Sequence, residues 1–361
     1  MLSKFVDINV DDLIHRQPIK FSTQKVNDYL KGKVVLITGA AGSIGAEITR
    51  QLSSFELKCL VLVDQAETDL FFLQQEILKT KVNIKAIVGD ITDKDRIDFI
   101  FEKYKPQIVF HTAAYKHVPL MEGNSYEAIK NNLLGTKIVV DSSIKHKTDS
   151  FMFVSSDKAV DPKNIMGKTK FFAEKYLTSL MNDKNKTKIA ITRFGNVLNS
   201  NGSVVPIFYN QIKNGGPITI THKDVSRYLI SKKEASGLII EICVNLKESN
   251  TFIFNMGKPV KIVDLAQRML KLLGLKYPKD IDIVFVGLRS GEKMNEKTYS
   301  SDELIFKTAH KSIMRVRGGK LNGNKVVNII NELCLENKKK FKIDLDDYIS
   351  QINNNFFEKF Q

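Results

Sequence analysis

An aspartate and a lysine stand side by side at Asp157-Lys158, directly after Ser156 and at the end of the apolar run SFMFVSS. A carboxyl group and an amine held together can serve one substrate as acid and base, provided the acid is protonated and the amine neutral at the moment of use. Burial moves both the required way, because desolvation penalises the charged form of each. The plainer alternative is an ion pair capping a strand end. Further along, in NIMGKTK, Lys170 follows Met166 by four residues, and a methionine cannot move a proton.

A second cluster of chemical interest is Gly39-Ala40-Ala41-Gly42-Ser43-Ile44-Gly45, between a β-branched run and an amphipathic stretch. Glycines suit a tight turn where a pyrophosphate approaches the backbone at a helix N-terminus, since unpaired N–H groups and the helix dipole favour phosphate there. Its G-x-x-G-x-x-G spacing is one residue wider than the commonest dinucleotide fingerprint. The alternative is a glycine turn kept for packing. Asp64 closes the next apolar run, 25 residues after Gly39, where a carboxylate can accept from ribose hydroxyls. No arginine flanks it, which favours NAD over NADP. Asp90, in VGDIT, either reaches the adenine amine or caps a helix. Ala113 and Ala114 are small enough for a cofactor to lie against the backbone.

These residues must be positioned by a regular scaffold, and one is legible from Lys33 onward. KVVLITG, KCLVLVD, IKAIVGD, QIVFHTAA, SFMFVSS and KIAITRFGNV read as strands, separated by helical stretches such as GKTKFFAEKYLTSLMN. An unbroken βα series specifies a parallel sheet with right-handed crossovers and helices on both faces. The expected fold class is α/β, a Rossmann-type doubly wound parallel sheet with a smaller C-terminal α/β lobe. The expected organisation is an N-terminal arm and helix over 1–32, a dinucleotide-binding domain over 33–195, to which a segment at about 225–257 returns, and a substrate lobe over 196–361.

The loop TGAAGSIG, with Lys170 four residues after a special position, resembles the extended short-chain dehydrogenase/reductase superfamily, whose usual triad is Ser/Thr, Tyr and Lys. Met166 holds the tyrosine place. HTAAYKHVPLME, SSDKAVDPKNIMGKTK, RFGNVLNSNGSVVPIF, THKDVSRYLI and GLRSGEKMNE together resemble the nucleotide-sugar 4,6-dehydratases of the polysaccharide-biosynthesis (CapD-like) type. The likeness runs from about Phe5 to about Glu296. It is nearest to UDP-N-acetylglucosamine 4,6-dehydratases that also carry methionine at the tyrosine position, and this chain looks like their catalytic portion without the N-terminal membrane region. Ser290 and Asn295 depart from the family's usual Pro and Tyr.

The resemblance implies an NAD-dependent lyase: C4 of a hexose is oxidised, water is eliminated across C5 and C6, and hydride returns to C6. It makes Ser156, Asp157, Lys158, Met166 and Lys170 the catalytic set, with Asp157 or a water ordered by Ser156 taking the C4 hydroxyl proton. Ile91 and Asn132 join the cofactor set. Asn196 and the backbone around Ser203, Val204 and Val205 cradle the sugar diphosphate, Arg227 and Arg289 clamp it with Glu292 nearby, and Lys116 and His117 face the sugar. A guanidinium fork matches phosphate oxygens in a way lysine does not.

Two other readings stand beside this one. A 4-epimerase of the same superfamily needs no C5 base, which the Asp157-Lys158 pair would supply. A redox-dead dinucleotide-sensing protein has no use for Ser156, Asp157, Lys158 and Lys170 together.

The net charge of +15 raises the question of a polyanionic partner. Lysine is spread along the whole chain, so a solvated basic surface is expected and nucleic acid is not. The longest apolar runs have strand length, far short of the roughly 20 residues of a membrane helix. With no secretory leader pattern at the N-terminus, a cytoplasmic location is expected, as a homodimer or larger homo-oligomer. The three cysteines, Cys59, Cys243 and Cys334, are too scattered for a disulfide framework or a metal site and are expected as buried thiols.

Overall fold

The computed structural model describes residue 13 and residues 23–182, 185–340, 343–354 and 356–358. Most of the expected N-terminal arm, residues 1–12 and 14–22, therefore lies outside the described residues. Strands β1 (Val34–Thr38), β2 (Cys59–Asp64), β3 (Ile84–Val88), β4 (Ile108–His111), β5 (Ser150–Val154) and β6 (Lys188–Arg193) form where the apolar runs predict them. All pair in parallel, in the order β3-β2-β1-β4-β5-β6.

Helices cover both faces. One core packs the sheet against α1 (Thr23–Leu30), α2 (Ser43–Leu52), α3 (Glu67–Ile77) and a later helix over 232–245. The opposite core contains α4 (Lys94–Tyr104) and, past the short α5 (Val118–Glu122), one long helical run. That run is α6 (Ser125–Ile129), a π turn (Lys130–Gly135) and α7 (Thr136–Lys145). Its last layer is α8 (Ile165–Ser179), whose inner face buries Phe172, Ala173 and Leu177. The fold is thus a doubly wound α/β sheet of Rossmann type. Cys59, Cys243 and Cys334 are free and buried.

Beyond the first six strands the chain leaves the sheet and later comes back to it. After β6 the chain leaves the sheet through β7 (Asn196–Leu198), α9 (Val204–Lys213), β8 (Ile218–Ile220), β9 (Ser226–Arg227), β10 (Leu229–Ser231) and α10 (Lys232–Asn245). It then re-enters: β11 (Asn250–Phe254) pairs in parallel with β6. After β12 (Val260–Lys261), α11 (Ile262–Leu272) and β13 (Ile283–Phe285), two antiparallel strands, β14 (Leu304–Lys307) and β15 (Ile313–Arg317), extend the sheet to nine. Two C-terminal helices, α12 (Gly323–Lys339) and α13 (Leu345–Asn353), then pack on α8.

The second lobe is consequently smaller than 196–361. Its core gathers Leu198, Val205, Phe208, Ile218, Leu229, Leu265, Met269 and Ile283, and Leu13 of the arm is buried among them. The reason is periodicity: Val326, Ile329, Ile330 and Leu333 form an i, i+3, i+4, i+7 stripe that must be covered, and the outer side of α8 is the surface that covers it. Among the described residues, no helix is long and apolar enough to cross a membrane.

If α12 is part of the first core, Leu333→Ala, at a fully buried position, should destabilise the whole sheet domain by about 2 to 5 kcal/mol. Denaturant unfolding followed by circular dichroism and by a fluorophore placed near β1 should shift together. A shift seen only by a probe on α12 would make the C-terminal helices a separate unit.

Candidate active site

The glycine turn is built by steric exclusion. Gly39 has φ +68°, and a Cβ there would come within 2.5 Å of Ala113 Cα. At Gly45 it would come within 2.2 Å of Gly39 O and 2.8 Å of Thr112 Oγ1. The turn therefore lies directly on the end of β4. Gly42 is the N-cap of α2 and meets only Gly39 O, at 3.2 Å, so the helix N-terminus stays open towards the cleft. Asp64 ties the turn from the side: Oδ2 accepts from the Ala41 N–H and Oδ1 from the Ala66 N–H, both at 2.9 Å. Each carboxylate oxygen keeps acceptor capacity for a further donor.

The cleft at these strand ends is lined by Gly39, Ala41, Gly42, Asp64, Ile91, Ala113 and Ala114. Sequence reasoning missed Gln65, Asn131 and Asn201 in its wall; Gln65 Nε2 donates to Tyr115 OH across the cleft mouth at 3.0 Å. Ser43 faces the second lobe, where its Oγ accepts from the Asn201 N–H at 3.0 Å.

Asp90 and Asn132, both expected at the cofactor, also bond to nearby backbone. Asp90 turns Oδ1 to the Thr92 N–H at 2.8 Å, while its neighbours Gly89 and Ile91 line the cleft. Asn132 sits in the π turn, fully buried. Its Oδ1 accepts from the Tyr115 N–H (2.8 Å) and Asn131 Nδ2 (3.1 Å), and its Nδ2 donates to Tyr115 O (2.9 Å) and Thr169 Oγ1 (3.1 Å). That exhausts a primary amide's capacity. Asn132 thus braces the loop after β4 against α8 and has nothing left for a cofactor. A π turn at such a position is a common mark of a functional site.

The catalytic candidates converge beyond β5. Ser156 caps the 3₁₀ turn Asp157–Ala159, its Oγ accepting from the Lys158 N–H. The Asp157 side chain is wholly buried, and Oδ1 accepts from Ser156 Oγ at 3.1 Å and Lys158 Nζ at 3.0 Å. Oδ2 has no hydrogen-bond partner among the described residues. Lys158 Nζ also donates to Asn196 Oδ1 at 3.0 Å and lies 4.0 Å from Glu296 Oε1. Asn196, expected at the diphosphate, thus also holds Lys158. Glu296 was given no role although it closes the quoted motif GLRSGEKMNE, because nothing in that motif shows that the loop reaches Lys158.

Met166 is buried in an apolar cluster with Met121 and Ala128, beside Tyr115, Val118 and Ile165. One turn on, Lys170 Nζ donates to Val154 O at 3.0 Å and lies 4.5 Å over the Phe153 ring. Burial pulls its pKa down to about 7, against the opposing influence of Glu174. Glu174 in turn is gripped by Arg193 through Nε (2.9 Å) and Nη2 (2.6 Å), and Arg193 Nη1 reaches Glu303 at 2.8 Å.

At the seam with the second lobe, Lys116 Nζ donates to Ser200 Oγ at 3.1 Å, and burial, then Lys232, lowers its pKa. His117 packs against Gly202, φ +66°, where a Cβ would lie 2.5 Å from the ring; burial, then Lys116, lowers its pKa as well. Ser203 is the N-cap of α9, with Val204 and Val205 in the first turn, and its Oγ has no partner among the described residues. Arg227, expected at the diphosphate, donates from Nη1 to Ser226 O (2.8 Å) and Met294 O (3.0 Å), and from Nη2 to Glu292 Oε1 (3.1 Å). Buried and engaged in this way, it holds the 291–296 loop. Arg289 is exposed, and its N–H donates to Glu292 Oε2 at 3.3 Å.

Residues 35–318 match the family model described as polysaccharide biosynthesis protein. The capsular polysaccharide biosynthesis protein CapD of Staphylococcus aureus is 42% identical over 85% of this chain, which spans about half of that relative's length (52%). A UDP-glucose 4-epimerase of Rickettsia rickettsii is 31% identical over 86% of this chain and 93% of its own. Among solved structures, Pen from Bacillus thuringiensis is 34% identical with a TM-score of 0.74, covering 80% of this chain and 87% of that one.

Lys170 makes stability depend on pH. Its folded pKa of about 7 lies below the ordinary 10.5, so between those values the unfolded chain binds the extra proton and stability rises with pH, by up to about 1.4 kcal/mol per unit from this group. Below about 7 the contribution is flat, because both states are protonated. Lys170→Met should remove that rise, as measured by urea unfolding of cofactor-free protein from pH 6.5 to 10. Parallel curves for the two proteins would mean that Lys170 keeps its proton when folded.

Proposed function

The chain belongs to the polysaccharide biosynthesis protein family, and from that premise we propose that it is an NAD-dependent nucleotide-sugar 4,6-dehydratase acting on UDP-N-acetylglucosamine. The observation that carries the reading is the buried Asp157-Lys158 pair with one carboxylate oxygen unpartnered. The open N-terminus of α2 and the Asp64 carboxylate fit a dinucleotide, with Lys170 within the same strand-end region to grip its ribose. NAD bound there supplies the acceptor for the C4 hydride and its return to C6.

The protein's own groups move the protons. Asp157 Oδ2 takes the C4 hydroxyl proton and becomes a neutral acid. The C4 ketone makes H5 acidic, and neutral Lys158 removes it as Asp157 gives its proton to the departing C6 hydroxyl. Lys158 later returns a proton to C5, so both groups finish as they began. Met166 is a pocket wall that needs no proton of its own. The N-terminus of α9 and the exposed Arg289 receive the diphosphate, while Arg227 fixes the loop that carries Arg289. The enzyme is placed in the cytoplasm as a homo-oligomer, making a 4-keto-6-deoxy sugar for glycan assembly.

The rickettsial relative's name favours a second reading, 4-epimerisation. Epimerisation at C4 requires no base at C5, and Lys158 would then be idle. Mass spectrometry of purified protein with a panel of nucleotide sugars separates the possibilities: loss of one water supports dehydration, and an isobaric product supports the epimerase. No product from any sugar, with NAD still bound, would leave a dinucleotide sensor.

In heavy water the product should carry deuterium at C5, and a substrate labelled at C4 should deliver its label to C6. Asp157→Asn and Lys158→Met should each lose about a hundredfold or more in turnover, whereas Met166→Leu should keep much of the activity. An inactive Met166→Leu variant beside a normal Lys158→Met variant would remove this assignment. For the cofactor, calorimetry should find NAD bound more tightly than NADP, because a 2′-phosphate would face Asp64 with like charge. The reverse order would take Asp64 out of its role.

A further inference from the structure

We infer that Glu296 is a positioning residue that sets how tightly Lys158 holds a proton, an inference that rests on the dehydratase reading for its kinetic consequence. The Glu296 side chain is 2% exposed, with Oε1 4.0 Å from Lys158 Nζ. Its Oε2 makes no hydrogen bond with a described residue, although Lys293 Nζ stands 3.3 Å away. A carboxylate taken out of water on these terms is costly, and a proton on the Lys158 or Lys293 amine beside it offsets the cost. Such a group is not surface decoration.

Its position is built by the loop that carries it. Asn164 Nδ2 donates to Gly291 O at 3.1 Å, and Lys293 Nζ to Val160 O at 2.7 Å, so the loop is fastened to the segment just after the catalytic turn. Gly291, at φ +71°, leaves no room for a side chain, since a Cβ would fall 2.9 Å from Asn164 Cβ. Arg227 anchors the same loop through Met294 O. The second lobe thereby delivers a carboxylate to an ammonium of the first.

Lys158 faces Asp157 from its own turn and Glu296 from the loop, with Lys293 beyond Glu296 and the neutral Asn196 as a further acceptor. In the elimination step the C5–H bond breaks and its proton goes to Lys158. The electron pair forms the C5=C6 bond, the C6–O bond breaks, and water leaves with the proton from Asp157. When that transfer begins Asp157 is a neutral acid, so Glu296 is the anion already in place to stabilise the charge developing on Lys158. A carboxylate near an amine favours the amine's charged form.

The test compares wild type with Glu296→Gln, which keeps size and polarity and removes the charge. The Lys158 titration is read by NMR in protein labelled at the lysine ε-carbon, assigned with Lys158→Met, and needs no substrate. Its midpoint should fall by about one pH unit or more in Glu296→Gln. In the dehydration assay the acid limb of the pH–rate profile should move down by the same amount, while the high-pH plateau falls because a weaker base removes H5 more slowly. A fallen plateau with an unmoved limb, or an unchanged Lys158 midpoint, overturns the inference.

If wild type dehydrates no nucleotide sugar, the functional reading falls, and the titration still decides whether Glu296 governs Lys158. If Glu296→Gln does not fold, the reciprocal variant decides, since coupling acts equally in both directions. Lys158→Gln should raise the Glu296 carboxyl midpoint, followed with carboxyl-labelled glutamate, and an unmoved midpoint overturns the proposal.

Discussion

The site depends on one buried ion pair, the Arg193 guanidinium at the end of β6 clasping the Glu174 carboxylate of α8. Ser155 also donates to Glu174, and Glu303, just before β14, closes the other side of Arg193. Withdrawing these charges from water is costly, and a buried pair is often worth little net stability. Its contribution here is geometric. It locks α8 in register with the ends of β5 and β6, so that Met166 and Lys170 on the helix and Ser156 to Lys158 after the strand keep fixed relations.

Around that lock the two lobes share the work. The sheet contributes strand ends that open on one edge, which is where parallel α/β sheets place ligands. The second lobe contributes two loops: 196–203 holds Lys158 through Asn196 and Lys116 through Ser200, and 291–296 brings Glu296. Neither lobe alone assembles the acid–base group. Asn132 ties the same region from beneath, spending its whole amide on the loop after β4 and on α8.

Much of the first domain was legible because its signals are local. Alternation of β-branched runs with amphipathic helices, Gly39 to Gly45, and Asp64 at a strand end each lie within a window of a few residues. Arg227 and Asn132 were assigned to ligands through the family resemblance, and in the structure Asn132 spends its whole amide on neighbours while Arg227 holds Met294 and Glu292, far along the chain. Type states what a side chain can do; only its surroundings state what remains for it to do. The C-terminal return was hidden for a related reason, since IMRVR and the stripe on α12 need their partner surfaces, β11 and α8, before they are more than short apolar patterns.

By itself the sequence determined the doubly wound parallel sheet, the glycine turn against β4, and the adjacency of Asp157 and Lys158, because each follows from short-range sterics, periodicity or covalent neighbourhood. Tertiary structure alone decided that β14 and β15 complete the sheet, that Lys170 is buried deeply enough to bring its pKa near 7, and that Glu296 stands beside Lys158. Burial and through-space charge depend on distances between segments far apart in the chain. No local pattern encodes those distances, and the packing of the second lobe onto the first sets them.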